Sequence, residues 1–94
     1  MVIKCKTWKD IKAEYQHKVY GEYLSYKMGN KQLYECLEHI DREKAYMRGY
    51  ITSLYEYGVI EPEDYMARMN EITNLAYVYE SSAMSYNREK NNRV

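Results

Sequence analysis

Cys36 and His39 are the first pair to weigh for chemistry. Three residues apart on a helix they share one face, and could offer a thiolate and an imidazole to a metal or a substrate. A structural zinc site draws on two such close pairs. This chain has one, with Cys5 and His17 the remaining side chains of those types. Nucleophilic attack by Cys36 with His39 as base lacks any residue marked to orient the imidazole. The pair therefore reads as a small packing thiol beside a surface histidine, with no metal ligands and no catalytic residues. Dinucleotide-binding glycines, a phosphate-binding loop, HExxH and GxSxG are all missing from the sequence, so the expectation is a protein without enzymatic activity or cofactor.

Lys44 offers a different chemistry, because it interrupts an otherwise apolar helical seam. A lysine there can lay its stem over a small neighbour and carry its ammonium to the rim, against Glu80 or over the ring of Tyr15. Aimed instead into a cleft, Lys44 with Tyr15 would bind an anionic ligand. The N-terminal run KCKTWKDIKAEYQHKVY invites a related reading, since lysines on phosphates and bases stacked on Trp8 or Tyr would suit single-stranded nucleic acid or a nucleotide. Fourteen Lys plus Arg against fourteen Asp plus Glu argue against a general nucleic-acid binder. The balance conceals a gradient: residues 1–31 carry seven Lys against three acids, and residues 32–87 carry four basic against ten acidic side chains. A ligand-sequestering or nucleic-acid-binding module is accordingly the alternative reading.

The elements that must position these residues are helices. YGVIEPEDYM, residues 57–66, spells a turn between two of them. Gly58 supplies the left-handed residue that ends a helix, with Val59 as its hydrophobic contact. Glu61 takes the N-cap, a position for which it is a weak choice, and Pro62 the first helical position, with Glu63 and Asp64 in the first turn. Ile60 and Tyr65 bracket the cap as a staple. Before the turn, Leu33, Leu37, Ile40, Lys44, Met47, Ile51 and Leu54 alternate by four and three. After it so do Tyr65, Met69, Ile72, Ala76, Tyr79, Ala83 and Tyr86, making two coiled-coil seams that pair antiparallel. A shorter helix precedes them, capped by Thr7 with Asp10, apolar at Trp8, Ile11, Tyr15, Val19, Tyr23 and Tyr26, and ended by Gly29 and Asn30. Gly21 within it is expected to bend or split that helix.

The predicted fold is all-α: one domain spanning residues 1–94, a long antiparallel helical hairpin with a shorter N-terminal helix, three helices in all. Residues 1–6 are expected to be extended, the helices to cover 7–28, 31–57 and 62–87, and 88–94 to form a flexible tail. Two cysteines and no signal peptide point to a reducing compartment, the cytoplasm, and no apolar run approaches the roughly 20 residues of a membrane span.

Thirteen Tyr, one Trp and no Phe suit half-buried positions, where a ring packs and its hydroxyl meets water or a partner. Helical-wheel geometry puts Tyr46, Tyr50 and Tyr57 on the same broad side of the hairpin as Leu75 and Val78. Leu37, Tyr55, Met66, Tyr77 and Met84 fall on the opposite side. One short helix can cover only one side, so an apolar patch is left for a homo-oligomer, a dimer by preference, or for a protein partner. Tyr46, Tyr50, Tyr57, Leu75 and Val78 are the expected binding residues.

The run GYITSLYEYGVIEPEDYMARMNEI, residues 49–72, resembles the helical hairpin of small accessory proteins of phages and mobile elements of Gram-positive bacteria. The resemblance implies a context: non-enzymatic proteins that occupy a host defence component or host enzyme, with anti-CRISPR inhibitors and nucleotide-sequestering sponges among them.

Overall fold

The computed structural model describes residues 7–92, and contains three helices: α1 (Trp8–Lys27), α2 (Leu33–Glu56) and α3 (Pro62–Asn92). The expected extended segment 1–6 lies outside the described residues. Thr7 caps α1, its hydroxyl accepting from the Asp10 amide at 3.2 Å. Gly21 does not split α1, which continues unbroken past it. α2 begins at Leu33, two residues after the expected start at residue 31, following a cap made by Gln32, whose amide donates to the Glu35 carboxylate at 3.3 Å.

Both connections close in the same way. Gly58 has φ 71°, its amide bonds the Tyr55 carbonyl, and the Val59 amide bonds the Leu54 carbonyl at 2.8 Å. Gly29, at φ 85°, does the same with Tyr26, and Asn30 with Ser25. The apolar contact beside the first of these comes from Ile60, which packs on the core, while Val59 stays exposed. α3 runs to Asn92, past the expected end at residue 87, where the Tyr26 hydroxyl donates to Asn87 Oδ1 at 3.0 Å and Tyr86 packs edge-on against Tyr26. The first residues of the expected tail are thus helical.

One core holds all three helices. It comprises Tyr15, Val19 and Tyr26 from α1, Cys36, Ile40, Met47 and Ile51 from α2, and Ile72, Ala76 and Ala83 from α3. The seam residues Leu33, Leu37, Tyr65, Met69, Tyr79 and Tyr86 pack around it. α1 runs parallel to α3, with Trp8 at Glu71 and Tyr26 at Asn87, and antiparallel to α2, with Glu22 at His39. The molecule is a thin slab measuring 55 × 32 × 16 Å. Among the described residues no helix is long and apolar enough to cross a membrane.

Candidate functional site

α1 lies in the groove on the Tyr50 and Leu75 side of the hairpin, and its placement decides which apolar residues remain free. Its N-terminal end is fixed to α3 by a polar cluster. The Trp8 indole N–H donates to Glu71 Oε2 at 3.3 Å, Lys12 pairs with the same oxygen at 2.9 Å, and the Arg68 guanidinium sits 4.9 Å from the Trp8 ring centre. The Lys12 ammonium bonded to Glu71 holds that carboxyl below its ordinary range. Further along, Tyr20 and Tyr23 pack on Tyr79, and Lys27 lies over the rings of Tyr23 and Tyr86. On the α2 side Glu22 bonds both Lys31 and His39, the latter at 3.1 Å. Tyrosine here does what its two-sided chemistry permits, closing a helix seam with the ring while the hydroxyls of Tyr26 and Tyr86 bond Asn87 and the Lys27 carbonyl.

This seating divides the expected binding patch. Leu75 is partly buried against the core, and with Val78, Lys12 and Gln16 it lines a shallow groove between α1 and α3. Tyr46, Tyr50 and Tyr57 lie on the other flank of α1, along α2. The five residues therefore form two strips rather than one surface, because a helix occupies the space between them. The α2 strip is well exposed: Tyr46 by 72%, Tyr50 by 39% and Tyr57 by 84%. None of the three hydroxyls has a hydrogen-bond partner among the described residues.

The pair weighed for an anionic ligand is not arranged for one. Tyr15 is 2% exposed and donates its hydroxyl to the Ile72 carbonyl at 3.1 Å. Burial, reinforced by Glu80 and Glu43, pushes its hydroxyl well above the ordinary tyrosine range. Lys44 reaches Asp41 at 3.3 Å and Glu80 at 3.8 Å, so its charge is already answered by two carboxylates. Cys36 is fully buried, burial raising its thiol, and His39 is engaged with Glu22 and Lys31. No group of three His, Cys, Asp or Glu side chains able to hold a metal ion occurs among the described residues.

Among the described residues no helix covers the hairpin's opposite face. Tyr34, Tyr55, Met66, Tyr77 and Met84 are all exposed on it, and the Lys44 and Glu80 pair lies at its middle. Tyr34 was not among the expected surface residues. Its signal was a seven-residue ladder, Tyr34, Asp41, Arg48 and Tyr55, which an apolar count passes over because its two middle rungs are charged.

Neither a protein-family model nor a curated protein nor a solved structure matches the chain at a significant level.

Proposed function

We propose that the protein is a non-enzymatic interaction module that works by occupying the surface of another protein, with the α2 strip Tyr46, Tyr50 and Tyr57 as its contact. The observation that carries this reading is the strip itself: Tyr46 and Tyr50 on one flank of α2 and Tyr57 at its C-cap, all exposed, with no hydrogen-bond partner for their hydroxyls among the described residues. Tyrosine loses little side-chain freedom on binding and combines a broad apolar ring with a hydrogen-bonding tip, which is why it is enriched in binding surfaces. The strip runs to the α2–α3 turn, where Tyr57 and Val59 project beyond the described part of α1. The resemblance of residues 49–72 to phage and mobile-element hairpins suggests a host defence protein or host enzyme as the target class.

The test is affinity capture from a bacterial lysate with the wild-type chain and with Tyr46→Ala/Tyr57→Ala, whose fold is checked by circular dichroism. A polypeptide retained in constant ratio by the wild type and reduced at least ten-fold by the double variant is expected, since anchoring aromatics commonly contribute 1–2 kcal/mol or more, about that factor each. Capture that is indifferent to both tyrosines overturns the assignment of the strip. A purified chain that carries nucleotide, seen as excess absorbance at 260 nm and by mass, overturns the reading in favour of ligand sequestration.

A further inference from the structure

The face that α1 leaves open is self-complementary. On α2, Tyr34, Asp41, Arg48 and Tyr55 follow one another at intervals of seven, so they form one stripe along that face. Read backwards, the stripe keeps tyrosine at both ends and exchanges the acid for the base. Two such stripes laid antiparallel, with their midpoint between Lys44 and Ala45, put Tyr34 opposite Tyr55 and Asp41 opposite Arg48, twice over. Arg48 has no carboxylate partner among the described residues.

α3 repeats the match in the same register. The stacked rings of Tyr55 and Tyr65, with centres 4.7 Å apart, place the midpoint of α2 level with the turn of α3 that begins at Leu75. Reflection about that level sets Met66 opposite Met84 and Glu63 opposite Arg88. Met66 and Met84 are exposed, and neither Glu63 nor Arg88 has an ion-pair partner among the described residues. The polarity of the hairpin's two ends agrees. Residues 56–64, at the turn end, hold four acids and no base, whereas residues 88–92 hold two bases against one acid. A parallel arrangement would oppose like charges at both ends. The paired helices present roughly 36 Å by 20 Å, or about 700 Å² per copy, close to the roughly 800 Å² per partner of a standard stable interface.

We infer that the open face of the hairpin binds a second copy of this chain, antiparallel, about a twofold axis crossing the helices at Lys44. α2 lies on α2 and α3 on α3, forming a four-helix layer with an α1 on each outer side. This goes beyond the target-binding reading and leaves the Tyr46, Tyr50 and Tyr57 strip free on both copies, so each can be tested without the other.

Light scattering and analytical ultracentrifugation of the purified chain, with no target present, provide the test. The wild type is expected to reach twice its 11.4 kDa mass. Arg48→Asp and Asp41→Arg each oppose like charges and are expected to weaken the dimer at least ten-fold, the size of one close interfacial charge pair. Their combination restores the pairing in exchanged form, to within about three-fold of the wild type. Glu63→Arg and Arg88→Glu, singly and together, repeat the cycle at the rim, with circular dichroism confirming the fold of each variant. A wild-type chain that keeps the mass of one copy at about 100 µM, corresponding to association weaker than about 5.5 kcal/mol, overturns the inference. So do double variants no tighter than the singles in both cycles.

Discussion

Lys44 shows how one residue changes meaning once its neighbours are placed. Alone in an apolar seam it reads as a rim lysine, and replacing it with a hydrophobe of similar length should then leave the fold as stable or more so. The structure puts Glu80 beside it, with Oε1 out of solvent and without a hydrogen-bond donor among the described residues, so the Lys44 ammonium at 3.8 Å is the charge that compensates it. Both side chains are about one quarter exposed. Lys44→Met therefore strands a carboxylate. It is expected to lower stability by about 1–2 kcal/mol, a value reduced for that partial exposure. Lys44→Met/Glu80→Met removes both charges and is expected to match or exceed the wild type, since an apolar pair of similar volume commonly replaces a buried ion pair without loss. Urea unfolding of the three proteins decides it; a single variant as stable as the wild type would mean that Glu80 is solvated.

The helices themselves were the most legible level, because their ends are written in residues that have few other uses. Gly58 with Pro62 marks the α2–α3 turn, Gly29 the α1–α2 turn, and the fours and threes of Ile40, Met47, Ile51, Ile72, Ala76 and Ala83 mark the seam. The cap at Gln32 is hard to read because glutamine is seldom chosen there, and the polar letters of residues 88–92 carry no apolar period to mark the continuation of α3. Neither could the wheel decide which face α1 covers, since both faces carry apolar residues. The wheel alone therefore groups the tyrosine strip with Leu75 and Val78, from which α1 separates it. The glycines give this level its prediction. An added Cβ meets nothing within 4 Å at Gly21, Gly29 or Gly58, so backbone conformation alone sets the outcome. Gly29→Ala and Gly58→Ala force alanine to a positive φ and are each expected to cost about 1 kcal/mol. Gly21→Ala, in an exposed helix interior, should gain about 0.5–1 kcal/mol. In a domain of this size that separates the melting temperatures by several degrees in opposite directions, about 4–8 °C per kcal/mol. Equal melting points for all three would contradict the two helix ends.

At the scale of the molecule the governing fact is thinness. A slab 16 Å deep, with a radius of gyration of 15.8 Å against about 12 Å for a compact chain of this length, has room for one layer of core and no second one. Every helix contributes to that layer, and none buries its apolar face without the other two. Detaching α1 would uncover Cys36, Ile40 and Ile72 together, leaving a two-helix hairpin with half its seam in water. Opening should therefore be global rather than stepwise. Cys36 reports on this directly, being fully buried, with burial raising its thiol away from the reactive thiolate. In a Cys5→Ser background, alkylation of Cys36 is expected to proceed only through unfolding. The opening free energy derived from its rate should then agree to within about 1 kcal/mol with that from urea denaturation. Labelling that runs more than ten-fold faster than this relation allows, a gap of about 1.4 kcal/mol, would show that α1 releases the hairpin on its own and that the shared core is less cooperative than its packing implies.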